Sequence, residues 1–114
     1  MVTEAQFQRQ VTDLAKLRGW QWVHFRPARR SNGDWYTPVE GPLGAGWPDL
    51  VLVRRHEIRF VELKTDKNAP TAAQAMVLSV LEEASAGWCW DCHQDVQTFV
   101  WRPKDWPEIE KELK

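Results

Sequence analysis

Apolar and polar residues alternate in blocks in the middle of the chain, in a pattern that predicts two adjacent β-strands. The runs Leu50–Val53 and Ile58–Leu63 are rich in β-branched residues, and the short polar segment Arg54–Glu57 separates them. This is the pattern of a β-hairpin. Because both faces of the hairpin are apolar over most of their length, we expect it at the centre of a layered α/β domain.

Apolar residues at helical spacing flank this hairpin on both sides. A first helix is predicted to begin after Thr3, which forms a capping box with Gln6, and to end near Gly19. Thr71 and Gln74 repeat the capping-box spacing and predict the start of a second helix. The expected core stripes are Phe7, Val11, Leu14 and Ala15 on the first helix and Met76, Val77, Val80, Leu81 and Ala84 on the second.

Shorter segments complete the predicted order of elements. Strands are predicted at Trp20–Phe25, Trp88–His93 and Gln97–Trp101, and a short helix at Trp106–Leu113. The segment Pro27–Ala45 is rich in Gly, Pro, Ser and Asn and predicts a long loop without secondary structure. The order α, β, loop, β-hairpin, α, β, β, α predicts one α/β domain over residues 1–114, with a mixed central sheet between helices.

The composition bounds the class of protein. Hydrophobic residues make up 43% and charged residues 27% of the 114 positions, as is ordinary for a globular domain. The net charge of −1 means that binding to nucleic acid would depend on a local basic patch. No signal peptide and no apolar run of membrane-spanning length are recognisable. We therefore expect an intracellular protein without a membrane partner, in which both Cys are free thiols.

Three polar residues are predicted to meet at the open end of the hairpin. A bend centred on His56–Glu57 sets Asp49 opposite Lys64. The same register sets Val51 opposite Glu62, so that the three polar side chains share one face. Neighbouring carboxylates repel each other and are costly to bury, and a hard divalent cation with oxygen ligands relieves both effects. The alternative interpretation is a solvated surface hairpin with an ordinary salt bridge.

The whole string, Gly46-Trp-Pro-Asp49, a strand, a turn, a second strand and Glu62-Leu-Lys64, resembles the motif of the PD-(D/E)xK nuclease superfamily. Within it, nearly the whole chain is similar to the short single-domain form of the VRR-NUC (virus-type replication-repair nuclease) family. The resemblance implies a restriction-endonuclease-like fold with an αβββαβ core. It also implies Mg²⁺- or Mn²⁺-dependent hydrolysis of branched or junction DNA by a homodimer, in the cytoplasm of a bacterial or phage-infected cell.

The resemblance assigns roles to the residues of the hairpin. Asp49 and Glu62 would ligate the metal, with the backbone carbonyl of Leu63 assisting. Lys64 would orient or activate the attacking water, or offset charge on the phosphate. Hydrolysis would leave 5′-phosphate and 3′-hydroxyl ends.

The resemblance also assigns a role in the metal site to one residue on each flanking helix. Gln74 would reach the site from the start of the second helix, and Glu4 would approach the metal from the first helix, directly or through a water. The sequence supports a structural interpretation of each equally well. Gln74 would then only complete its capping box, and Glu4 would only complement the helix dipole.

A basic and aromatic cluster precedes the hairpin. Its expected DNA-contacting members are Arg26, Arg29, Arg30 and Trp35, with Lys67 beyond the second strand as a further phosphate contact. Cations interleaved with aromatic rings suit phosphate binding and base stacking. The alternative is a solvated loop whose aromatic rings pack on the body. His24 is open to two interpretations, as a packed histidine or as one that approaches a phosphate.

The segment Cys89-x-x-Cys92-His93 has the pattern of covalent haem attachment. Attachment of haem would require export, for which no signal is seen, and a zinc site would have at most three clustered ligands. We interpret both Cys as core residues of a strand. A small haem or redox protein stays as one alternative to the nuclease. Another is a DNA-binding module of the same fold that cleaves only with a partner, or not at all.

Overall fold

Three helices and six strands make up the part of the chain that the computed structural model describes, residues 2–25, 28–36, 38–85 and 95–114. In chain order they are α1 (Glu4–Leu17), β1 (Gln21–His24), β2 (Ala28–Arg29), β3 (Trp35–Tyr36), a 3-10 turn (Gly44–Gly46), β4 (Leu50–Arg54), β5 (Glu57–Leu63), α2 (Ala72–Ser85), β6 (Asp95–Trp101), a second 3-10 turn (Pro103–Asp105) and α3 (Trp106–Glu112). The central sheet has the order β1-β4-β5-β6. β4 pairs antiparallel with β1 and β5, whereas β5 and β6 are parallel. The prediction of a mixed α/β fold with a mixed sheet flanked by helices is confirmed.

The hydrophobic core lies on one face of this sheet, under α1 and α3. Its buried members are Phe7, Val11, Ala15, Trp20, Leu50, Leu52, Val61, Leu63, Trp101, Ile109 and Leu113. The capping box of Thr3 and Gln6 is formed as predicted, and Gly19 adopts a φ of 82° just beyond the end of α1. The capping box thus defines the first turn of α1, which carries Glu4, and Gly19 ends the helix.

The hairpin has a different register from the predicted one. Its bend lies at Arg55-His56, with Arg54 paired to Glu57, and extension of this pairing sets Asp49 opposite Glu62. Arg55 takes a φ of 54°, as two-residue hairpin turns require. Arg54 and Glu57 also form an ion pair of 3.0 Å across the turn, which favours this bend over the predicted one. Because the register differs by two residues, each side chain keeps its predicted face.

The segment predicted as a loop without secondary structure contains the small hairpin β2–β3. The guanidinium of Arg29 lies 4.8 Å from the ring centroid of Trp35, and that of Arg30 lies 4.2 Å from the ring of Tyr36. Gly33 turns the chain with a φ of 95°. These cation–π pairs, which the loop prediction did not consider, stabilise two strands of only two residues each.

Helix α2 covers the opposite face of the sheet and buries less than predicted. Val77 is buried, whereas Met76, Val80 and Ala84 are exposed. The helix approaches the first 3-10 turn so closely that a Cβ atom at Gly46 would lie 2.2 Å from the carbonyl oxygen of Ala73. This backbone contact sets which side of α2 faces the protein, and it leaves Met76 and Val80 on the flank.

The C-terminal elements agree with the prediction apart from their bounds. β6 begins at Asp95, two residues earlier than expected, and α3 ends at Glu112. The predicted strand Trp88–His93, with Cys89, Cys92 and His93, lies outside the described residues. In the part of the chain that is described, no helix is long and apolar enough to cross a membrane.

Candidate active site

The open end of the hairpin brings two carboxyl groups and one ammonium group together. Glu62 is only 1% exposed. Its Oε1 accepts a hydrogen bond of 2.9 Å from Nε2 of Gln74 and lies 3.6 Å from Nζ of Lys64. Oδ2 of Asp49 accepts a hydrogen bond of 3.0 Å from the backbone N–H of Leu63. Asp49, Glu62 and Lys64 therefore meet as the sequence predicts, although Asp49 lies opposite Glu62 and not Lys64.

The backbone holds Asp49 between two strands. Its carbonyl oxygen accepts a hydrogen bond of 2.8 Å from the N–H of Phe25, just beyond β1, while its side chain is bonded to β5. Pro48 precedes it and is buried, so the chain enters β4 at a fixed angle. The position of the Asp49 carboxylate thus follows from the pairing of the sheet and not from a flexible loop.

Glu62 is an electrostatically costly residue in this position. Its Oε2 is buried and has no hydrogen-bond partner among the residues that the structure describes. Burial, the negative charge of Asp49 and a hydrogen bond between the two carboxyl groups raise the pKa of Glu62 to about 8, against the opposing effect of Lys64, so that a protonated Glu62 can share its proton with Asp49. A buried carboxyl with an unpaired oxygen destabilises the fold unless a proton or a cation compensates it.

Glu4 faces the same group of charges from the first turn of α1. Burial raises its pKa, the negative charge of Asp49 raises it further, and Lys64 lowers it. Glu4 also lines one cavity together with Asp49 and Leu63. The structure therefore places Glu4 beside the hairpin site, in addition to its favourable position at the N-terminus of the helix.

Gln74 fulfils both interpretations that the sequence left open. The side-chain Oε1 of Gln74 accepts a hydrogen bond of 2.8 Å from the backbone N–H of Thr71. The backbone N–H of Gln74 donates in return to Oγ1 of Thr71 at 3.2 Å. The other end of the same amide donates to Glu62. An amide carries an acceptor and a donor at opposite corners, so the capping box itself aims the donor at the carboxylate.

A cavity of about 630 Å³ opens beside Asp49 on the α1 side of the sheet. Its mostly apolar wall includes Gln8 of α1, His24 of β1 and Trp35 of β3. Gln8 was not among the residues predicted to form the site. The signal was present, because Gln8 follows Glu4 by four residues and residues at that spacing share a helix face.

The predicted DNA-contacting residues are only partly brought to this site. Trp35 lines the cavity, and the guanidinium of Arg29 stacks on the ring of Trp35. Arg30 stacks instead on Tyr36. Lys67 is exposed in the turn that follows β5. Arg26 lies outside the described residues, so its role stays a prediction.

The carboxyl groups of the site fit a divalent cation that binds through two protein ligands and several waters. In the described ranges, no three His, Cys, Asp or Glu side chains come together as a metal-binding group, so Glu4 does not join Asp49 and Glu62 as a third direct ligand. Magnesium nevertheless commonly takes one or two carboxylates and keeps several waters. Two neighbouring carboxyl groups, one with an unpaired buried oxygen, fit this mode of binding. Mn²⁺ has the same preference for oxygen donors.

Similarity to known proteins does not assign this site. No family model matches the sequence, and neither a curated protein nor a solved structure is significantly similar to it. The function is therefore argued from the geometry of Asp49, Glu62 and Lys64 and from the motif in which they stand.

Proposed function

We propose that this protein is a Mg²⁺- or Mn²⁺-dependent DNA endonuclease whose active site contains Asp49, Glu62 and Lys64. The observation that carries the proposal is the buried Glu62 carboxyl, with an unpaired oxygen, across from Asp49 at the end of a Pro-Asp…Glu-x-Lys hairpin. Such an arrangement is unfavourable for folding and suitable for holding a hard cation. The order α1, β1, β4, β5, α2, β6 supports a restriction-endonuclease-like fold as part of the same proposal.

Asp49 and Glu62, with the carbonyl of Leu63 assisting, would hold the cation. When bound, the cation supplies charge stabilisation at the phosphate and lowers the pKa of a water molecule. Lys64 holds a positive charge near Oε1 of Glu62, where it can orient the attacking water or a phosphate oxygen. Gln74 fixes the rotamer of Glu62, and the backbone of Leu63 fixes Asp49. The chain therefore provides a preorganised set of oxygen donors and one adjacent cationic donor.

The proposal extends to the substrate and the assembly. We propose that the substrate is branched or junction DNA, and that two copies of the chain bring two sites to one branch point. The products would carry 5′-phosphate and 3′-hydroxyl ends. The support for these points is the resemblance of the hairpin motif and the basic hairpin β2–β3 beside the site.

A cleavage assay on labelled junctions, flaps, overhangs and blunt duplex tests this function. We expect cleavage with Mg²⁺ or Mn²⁺, none with EDTA, and a loss of at least about 100-fold in Lys64→Ala. Asp49→Asn should abolish cleavage and keep the native circular dichroism spectrum, because the Asn oxygen can still accept the Leu63 N–H. Full activity of Asp49→Asn, or no cleavage of any DNA by the wild type, would refute the proposal.

A DNA-binding module that does not cleave alone is a second candidate. The basic and aromatic hairpin β2–β3 beside the cavity supports it, because this hairpin would contact DNA whether or not the site cleaves. It predicts binding to the same DNA panel without cleavage under any metal. The haem alternative involves Cys89, Cys92 and His93, outside the described residues, and visible absorbance of the purified protein decides it.

A further inference from the structure

We propose that the cavity beside Asp49 receives an unpaired nucleobase of the DNA substrate, stacked on Trp35. The protein would then prefer DNA with unpaired nucleotides beside the cleaved phosphate, such as a single-stranded arm, over continuous duplex. This inference rests on the proposed function, because it places the base next to the residues that would hydrolyse the strand.

The exposure of Trp35 is the first observation that points to a ligand. The side chain is 65% exposed, although it lines the wall of a cavity of about 630 Å³. That volume lies within the usual range of small-molecule sites, roughly 300–1,000 Å³. An exposed indole at the mouth of a mostly apolar cavity offers the flat surface on which a base stacks.

The hairpin β2–β3 holds the indole in place. Arg29 pairs with Trp35 across the two strands and stacks its guanidinium 4.8 Å from the ring centroid. The turn is closed by a hydrogen bond of 2.7 Å from the N–H of Arg30 to the carbonyl of Asp34. A ring held in this way loses little conformational entropy on stacking, and the charge of Arg29 adds attraction for the phosphate backbone.

The other walls favour an uncharged planar group over an anion. Glu4 and Asp49 place carboxyl groups at the cavity, so a free phosphate would meet negative charge there. Gln8 also lines the cavity, and its amide supplies both a donor and an acceptor for the edge of a base. A base that is paired and stacked in a duplex cannot enter such a pocket, whereas an unpaired base can.

Binding measurements in EDTA test the proposal without cleavage. A duplex with a single-stranded arm is compared with the blunt duplex by fluorescence anisotropy, and 2-aminopurine in the arm reports stacking. Because base–aromatic stacking contributes about 1–3 kcal/mol, we expect the armed DNA to bind the wild type about 5- to 150-fold more tightly. Trp35→Ala should lose this preference, and Trp35→Phe should keep most of it.

Trp22→Ala is the matched control. Trp22 is also exposed, at 44%, but it is not among the residues that line the cavity. Its loss should leave the preference for the armed DNA unchanged. The proposal is overturned if Trp35→Ala weakens the binding of armed DNA and of blunt DNA by the same factor. It is also overturned if 2-aminopurine fluorescence in wild-type complexes is not quenched.

The cleavage assay separates this inference from the proposed function. A preference that depends on Trp35, without cleavage under any metal, would refute the nuclease and retain the base pocket. Cleavage with equal rates on armed and blunt DNA, and equal binding, would retain the nuclease and refute the pocket.

Discussion

At the scale of single residues, Glu62 shows the conflict between stability and chemistry most directly. It is buried on the face of β5 that α2 covers, yet it is a carboxylic acid with one oxygen unpaired among the described residues. The two groups that touch Oε1, Gln74 and Lys64, compensate only one side of the carboxyl. A residue chosen for folding alone would be apolar here, and the acid needs either a proton shared with Asp49 or a cation to compensate Oε2.

The raised pKa of Glu62 predicts how stability depends on pH. The group binds its proton more tightly in the folded chain, with a pKa of about 8, than in the unfolded chain, with a pKa near 4.5. Stability of the metal-free protein should therefore fall as pH rises from about 4.5 to about 8 and be level above that range. Glu62→Gln removes this titration. We expect the free energy of unfolding of the variant to exceed that of the wild type by a few kcal/mol at pH 8 and by almost nothing at pH 4.5.

Thermal unfolding followed by circular dichroism in EDTA measures this difference. A few kcal/mol corresponds to a difference in Tm of roughly 10 °C or more in a domain of this size. Glu82→Gln, at an exposed position of α2, is the control and should show no such dependence. A Glu62→Gln advantage of equal size at both pH values would contradict the assignment of the pH effect to this carboxyl.

At the scale of elements, the sequence specifies which face a residue occupies better than which residue it lies opposite. Alternation along β4 and β5 predicts the faces correctly, because a shift of two residues leaves every face unchanged. The register depends instead on the turn, where Arg55 adopts a positive φ that its residue type does not indicate. The same holds for α2, whose exposed flank depends on the backbone contact between Gly46 and Ala73.

The start of α2 links a helix cap to the candidate site, and two substitutions separate these contributions. Thr71→Ala removes the capping side chain and should lower stability by about 1 kcal/mol, with activity within about threefold of the wild type. Gln74→Ala keeps the Thr71 side-chain cap but removes the reciprocal hydrogen bond from the Thr71 N–H and the hydrogen bond to Glu62. We expect a similar loss of stability and a loss of at least about tenfold in kcat, because a charge-assisted hydrogen bond contributes about 1.5–3 kcal/mol.

Steady-state cleavage kinetics at a temperature well below both values of Tm measure the two variants. Gln74→Glu serves as a further comparison, because it keeps an acceptor for the Thr71 N–H and places a like charge beside Glu62. It should be as inactive as Gln74→Ala. Equal kcat values for Thr71→Ala and Gln74→Ala would mean that Gln74 acts only as a cap.

At the scale of the whole molecule, a buried arginine connects the hairpin to the C-terminal elements. Arg59, on the core face of β5, is 1% exposed. Its Nε donates to Oε2 of Glu112 at 2.9 Å, and its Nη2 donates to Oδ2 of Asp95 at 2.7 Å. It also lies 5.6 Å from the ring centroid of Trp20. The sequence did not predict this network, because Arg59 is a single polar residue in a strand pattern. Its partners Asp95 and Glu112 lie 36 and 53 residues further along the chain.

This network predicts a variant that affects stability without affecting the chemistry. Arg59→Ala leaves the carboxylates of Glu112 and Asp95 without their shared cation and opens space in the core. We expect a loss of about 1.5–3 kcal/mol in the free energy of unfolding, because the guanidinium is buried whereas the two carboxylates that it leaves behind are 45% and 26% exposed. Arg9→Ala, at an exposed position of α1, should change stability by less than about 0.5 kcal/mol.

Arg59 faces the core, whereas Glu62 faces α2, so DNA cleavage by Arg59→Ala should persist at temperatures where the variant is folded. Urea unfolding measures the first effect and cleavage at low temperature the second. Loss of cleavage by a folded Arg59→Ala would show that the core network also positions the carboxylates of the candidate site.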